Sequence, residues 1–364
     1  MLSCIVLTAC SLDDSNLETE KEISVDPPTY SSPAEIITLK SGVVILRVGD
    51  KYYYEGDVLL SPEQINSLEE TGSLYGEIPE EYAPYTSLNP VTNMPKDMQE
   101  GRCLGIYPTP YNLWAMVRFT YSSSITATKR IRIIEALEYI ESLTNVRFYN
   151  ATGEPTVDPT YGFDYPYIDF VAIGNEDTSS SYVGRIGGRQ EISLADFAFY
   201  SWNTGVIVHE ICHALGMLHE QCRPDRDNYV TINTSNLTSV GLSQFSKRTT
   251  NYYYIGDYDF NSVMGYSSYT SSGSIVYNTS LPMYTKLDGS LIYQGSGLSF
   301  NDRRWINALY LPYIARSDVY AELDDVVYNG NNEILSPSER LEFQAQLNNG
   351  NPYPPAGGRI PNDF

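Results

Sequence analysis

The chain has 364 residues but only three histidines, and all three fall in one short stretch, at His209, His213 and His219. On a helix His209 and His213 lie roughly 40° apart, one turn along the same face. His219 stands about 240° further round an unbroken helix, so it reaches the same point only if the helix stops. Gly216 lies between them, and glycine ends helices by taking positive φ at no steric cost. The chain can then turn and deliver a third imidazole. Three neutral imidazoles with an open fourth position suit a catalytic zinc ion, which lowers the pKa of its bound water to about 7. Glu210, next to the first histidine, is placed to take the proton of such a water as general base. Cys212 and Cys222 flank these ligands in sequence and read as inert core thiols.

Composition removes other functions. There are 23 basic and 45 acidic residues, a formal net charge of −22. That balance disfavours a nucleic-acid partner, which needs surplus Lys and Arg, and disfavours docking on anionic lipid by charge. Hydrophobic residues make up 42%, enough for a sizeable core. No apolar run is long enough for a membrane-spanning helix. Cys4, Cys10, Cys103, Cys212 and Cys222 are not spaced as a disulfide framework, although a bridge among the last three stays open.

Residues 1–9 are apolar, and Leu7-Thr8-Ala9-Cys10 fits the cleavage box of a bacterial lipoprotein signal. On that reading the protein is exported, and either lipid-anchored at the bacterial outer membrane or cell surface through Cys10, or secreted. No Lys or Arg precedes the run, which a translation start placed too far downstream would explain; a chance apolar terminus is the alternative.

The pattern along the chain predicts an α+β fold with a mixed sheet and helices on one side. Residues 11–35 read as an acidic, proline-containing linker, with short strands at 43–46 and 52–54 and a helix start at Ser61-Pro62. Residues 76–111 read as a loop-rich connector. Trp114–Tyr121, 146–149, 168–171 and 191–194 are strand-like, and Ile133, Ile134, Leu137 and Ile140 form an apolar stripe at helical spacing. After Pro312 the texture changes. Alternation through Leu341, Phe343, Ala345 and Leu347 resembles the opening hairpin of a β-sandwich; an extension packed on the main domain is the other reading. The expected division is 1–10 signal, 11–105 tether and inhibitory pro-segment, 106–312 catalytic domain and 313–364 C-terminal extension.

His209 through Val230, HEICHALGMLHEQCRPDRDNYV, resembles the signature of the astacin metallopeptidases, a family of metzincins. The resemblance covers about 112–312. It implies a metzincin-like domain with a twisted mixed sheet, an edge strand, an active-site helix and a Met-turn. Ser262-Val263-Met264-Gly265-Tyr266 is similar to that turn, which makes Met264 the apolar floor and Tyr266 the residue that contacts the metal or stabilises the oxyanion. Gly265 stands where the family usually has histidine. Glu220 matches the glutamate that anchors the freed N-terminus of mature astacins. The stretch 181–194 resembles the edge strand on which an extended substrate pairs by strand addition, and Leu298 to Tyr310 the closing helix. The cysteines of the family's usual disulfides are not found.

Tyr54-Glu55-Gly56-Asp57-Val58 is similar to the aspartate switch of astacin pro-segments. By that resemblance Asp57 is a fourth zinc ligand in the precursor only, and cutting between about 95 and 112 releases it. Cys103, beside Arg102, is the rival plug. The implied protein is a monomeric, latent zinc endopeptidase with one Zn2+ per chain and a protein or peptide substrate. Two alternatives stay open: a non-catalytic binding lipoprotein that retained the fold, and a zinc hydrolase of non-peptide bonds.

Overall fold

The structure, a computed structural model, describes residues 28, 30, 32–74, 116–159, 162, 164–175, 178–248, 254–310, 312–314, 320 and 322–359. The signal stretch, Cys10, Lys96, Arg102 and Cys103 lie outside them.

The first described elements are β1 (Glu35–Thr38), β2 (Val44–Val48), β3 (Lys51–Tyr54) and β4 (Val58–Leu59), an antiparallel meander, followed by α1 (Pro62–Thr71). α1 starts where the sequence signal lies: Ser61 and Gln64 form a reciprocal capping box and Pro62 takes the first turn. The loop-rich connector expected at 76–111 lies outside the described residues. Two expectations are corrected ahead of it. Four strands stand where two were expected. The linker, too, does not run free to residue 35. The Tyr30 hydroxyl donates to the Gly56 carbonyl, and its ring packs on Tyr53.

The catalytic region follows with β5 (Met116–Tyr121), α2 (Ala127–Leu143), β6 (Arg147–Asn150), β7 (Tyr167–Gly174), β8 (Ser180–Tyr182), β9 (Arg189–Ala195) and α3 (Thr204–Ala214). α2 is capped by Thr126 and buries Ile133, Leu137 and Ile140 of the predicted stripe, while Ile134 is half-buried. β6, β5, β7 and β9 run parallel, and β8 pairs antiparallel with β9 at the edge. β4 then pairs in parallel with the free side of β8, Val58 opposite Ser181 and Leu59 opposite Tyr182. The result among the described residues is one nine-stranded sheet, ordered β1-β2-β3-β4-β8-β9-β7-β5-β6. α2 and α3 close the main core over Phe119, Phe170, Ile192 and Leu194.

Beyond α3 lie β10 (Val230–Ile232), α4 (Ser239–Ser243), β11 (Tyr284–Lys286), α5 (Phe300–Leu309), β12 (Tyr313–Ile314), β13 (Glu322–Leu323) and α6 (Pro337–Leu347). α6 corrects the strand reading of Leu341 to Leu347. A capping box between Ser336 and Glu339, with Pro337 behind the cap, nucleates a helix, and Phe343 packs with Leu323 and Val327. The tail is tied to the main domain by Arg147 to Asp324 at 2.6 Å and by Asn145 bonding the backbone of Tyr328.

Candidate metal centre

α3 is buried from Gly205 to Ala214, and so carries His209, Glu210 and His213 inside the molecule. It ends as the glycine requires. Gly216 has φ +111°, the Met217 amide bonds the Cys212 carbonyl at 2.9 Å, and the Gly216 amide bonds the His213 carbonyl at 2.8 Å. This paired closure consumes the last carbonyls and turns the chain. His219 then sits in extended backbone, its ring centroid 5.3 Å from His209 and 4.7 Å from His213.

All three rings present Nε2 to one point, where the Asp57 carboxylate also arrives. His209 Nε2 lies 3.5 Å from Asp57 Oδ2; His213 and His219 Nε2 lie 3.3 and 3.2 Å from Oδ1. His209 and His219 Nε2 are 3.3 Å apart. Ligand atoms about 2.0–2.1 Å from a tetrahedral zinc stand about 3.3 Å from one another, so the donor set has the size of a zinc site. Asp57 Oδ1 and His213 Nε2 are buried without a hydrogen-bond partner among the described residues, as atoms meant for an ion would be.

The other ring nitrogens fix the rings. His209 Nδ1 donates to the Val263 carbonyl and His213 Nδ1 to the Met217 carbonyl, each at 2.8 Å. His219 Nδ1 faces Glu55 Oε2 at 3.4 Å, within ion-pair range but without hydrogen-bond geometry. Such partners set the tautomer that frees Nε2 for the metal. Burial drives His213 down to about 4, which keeps it neutral. Burial also acts on His219, but the Asp57 and Glu55 carboxylates outweigh it and hold that ring up at about 9.

The turn around Met264 is built from hydrogen bonds. Asp302, in the first turn of α5, accepts from Ser262 Oγ at 2.7 Å and the Val263 amide at 2.9 Å. The Val263 carbonyl is thereby aimed at His209, and Met264 is 1% exposed in the main core. The Met264 carbonyl accepts the Glu220 amide at 3.0 Å. Glu220 is held through Oε1 by Arg223 at 2.9 Å and the Asp259 amide at 2.8 Å. Tyr266 is fully buried, its ring 4.9 Å from that of His219, and its hydroxyl donates to the Glu55 carbonyl at 3.1 Å. Gly56 has φ +109°, and a Cβ there would meet Pro28 Cγ at 2.7 Å and the Tyr266 hydroxyl at 3.0 Å. Only glycine lets this backbone pass so close to Pro28 and Tyr266.

Two residues at the site escaped the sequence reading. Glu55 is buried inside the recognised motif yet has a part of its own, bonding Arg248 Nε at 2.8 Å and the His219 amide at 3.3 Å. Its place beside Gly56 was a usable signal. Arg248 had none, because its partner is far away in sequence. Cys212 and Cys222 are buried free thiols, and Cys222 Sγ donates to the Gln244 carbonyl at 3.2 Å.

Comparison with known proteins gives the same assignment. The family model for the astacin peptidases matches residues 107–311, more than half of the chain. Embryonic protein UVS.2 of Xenopus laevis is 35% identical over 254 residues, 66% of this chain and 44% of that protein. Zinc metalloproteinase nas-13 of Caenorhabditis elegans is 36% identical over 206 residues, 55% of this chain and 41% of that protein. The chain thus spans less than half the length of these curated relatives. Among solved structures, High choriolytic enzyme 1, a hatching enzyme zinc-protease from Oryzias latipes, aligns at 28% identity and a TM-score of 0.46, covering 57% of this chain and 94% of that one. The histidine cluster, the turn at Met264 and the match over 107–311 agree: this chain belongs to the astacin family.

Proposed function

We propose that the chain is a zinc-dependent endopeptidase made as a latent precursor. The observation that carries this reading is the meeting of the Asp57 carboxylate with the Nε2 atoms of His209, His213 and His219. The three imidazoles would hold zinc, and Asp57 would fill the fourth position until the segment carrying it leaves. Zinc bound there supplies Lewis acidity, which polarises a carbonyl oxygen and acidifies water.

The chain's own residues have separable tasks. Glu210 Oε2 is buried without a hydrogen-bond partner among the described residues. Burial, and after it the Asp57 charge, push its carboxyl well above the ordinary range, which suits a group that must accept a proton and return it to a leaving amine. Departure of residue 55 frees the Tyr266 hydroxyl to donate to the substrate carbonyl as it gains charge. Departure of β4 opens the edge of β8 to an extended peptide, which supports a protein or peptide substrate. Glu220 would serve structure, and Met264 the floor of the site. The exported, lipid-anchored location rests on Leu7 to Cys10.

The test is casein or gelatin cleavage by the full chain and by the chain cut between about 95 and 112 and then separated from its N-terminal fragment, each with and without a chelator. Cleavage only by the separated, unchelated protein is expected. Chelator-resistant cleavage, or none from separated and zinc-loaded protein, would refute the reading. Detergent phase partitioning of the full chain reads the anchor, and loss of partitioning in Cys10→Ala is expected.

A further inference from the structure

We propose that residues 28–74 stay seated on the catalytic unit as a non-covalent inhibitor after the connecting chain is cut, held by a latch that does not depend on metal and is centred on the buried pair Glu55–Arg248. The inference rests on reading this segment as inhibitory, and it adds a second step to activation.

Glu55 is 3% exposed, with φ at +52°, a conformation that a non-glycine residue keeps only when its surroundings impose it. Its carboxylate is divided between two partners. Oε1 accepts from Arg248 Nε at 2.8 Å; Oε2 accepts from the His219 amide at 3.3 Å. Arg248 also donates to the His219 carbonyl, so one guanidinium bridges the pro-segment and the third histidine's backbone. Arg248 is 8% exposed, and Glu55 is its only carboxylate at ion-pair distance among the described residues. Withdrawing Glu55 would strand a buried cation, which is far costlier than separating an exposed pair.

Further contacts bypass the metal ligands. β4 bonds to the edge of β8, and the Ser181 amide bonds the Asp57 carbonyl at 3.2 Å. Gln244 Nε2 donates to the Pro28 carbonyl at 3.3 Å. Leu39, Ile45, Val58, Leu60 and Leu68 of the segment share a buried cluster with Val183 of the catalytic region. A cut within 75–115 touches none of these. It only replaces the high effective concentration of a tethered segment with free diffusion, so the contacts themselves decide retention.

The experiment uses the full chain with a recognition site for an unrelated, site-specific protease inserted near residue 96. After cutting, gel filtration with zinc and with a chelator, followed by mass spectrometry of the peaks, shows whether the N-terminal fragment co-elutes. Retention in both buffers is expected, with casein cleavage at the uncut level. Cut Asp57→Ala should keep its fragment, because the latch is intact. Cut Glu55→Gln should lose it on dilution, with retention weakened about 10²–10³-fold, the range for a broken buried pair. Release from the wild type on cutting or on chelation would overturn the proposal, as would a Glu55→Gln fragment held as tightly as the wild type. If Glu55→Gln does not fold, the chelator and Asp57→Ala arms still decide. Protein stripped of its fragment that cleaves nothing would sink the endopeptidase reading and leave the co-elution result standing.

Discussion

Glu210 follows a zinc-site histidine on a wholly buried helix, where a carboxylate has no structural use that an apolar side chain would not serve better. The task proposed for it is chemical, and Glu210→Gln is the sharpest test at this scale. The variant should keep fold and zinc and lose about 10²–10⁴ in turnover once it is cut and freed of its N-terminal fragment, the usual contribution of a general base. Metal analysis beside the peptidase assay separates the outcomes, and near-wild-type turnover in zinc-loaded protein would place the base elsewhere. The histidines, Glu210 and Gly216 were legible because residue type and local spacing suggest their chemistry, and Met264 only through the likeness of its turn to the family's. Asp57 was legible because a short motif surrounds it. Glu55 paired with Arg248 was not, since no periodicity relates two positions joined only by the folded chain.

At the scale of elements, the site depends on where α3 stops. Gly216 at φ +111° turns the chain so that His219 can join the two helical ligands. Gly216→Ala should cost about 1–3 kcal/mol, the usual penalty for a side chain forced into such a conformation, and should weaken zinc retention as His219 is displaced. Denaturant midpoints and zinc titration measure the two effects, and an unchanged midpoint would mean that the turn tolerates a Cβ. Capping chemistry located α1, and hydrophobic spacing located α2. The tail shows the reverse case. Alternation from Leu341 to Leu347 matches a strand, but Ser336, Pro337 and Glu339 form a strong helix start, and the small core around Phe343 accepts a helix. A local cap outweighed the weaker two-residue period.

For the whole molecule the decisive arrangement is a sheet shared by two parts of the chain for which opposite roles are proposed. Asp57 reaches the histidines because β3 and β4 extend the catalytic sheet past β8, which places the turn at Glu55 and Gly56 over the site. Asp57→Ala should therefore weaken zinc retention by the uncut chain, read by titration against a chelator, whereas Cys103→Ala should leave it unchanged. The opposite result would make Cys103 the plug. The amino-acid sequence alone determined the metal chemistry, the family and the helix-breaking turn, because each is written in residues close together along the chain. Only the tertiary structure decided that residues 35–59 are a folded part of the sheet, that Glu55 is bound to Arg248, and that Asp57 stands within 3.2–3.5 Å of three imidazoles. Those contacts join positions separated by more than a hundred residues. Their energies come from burying charge and closing a sheet edge, which exist only once the chain has folded.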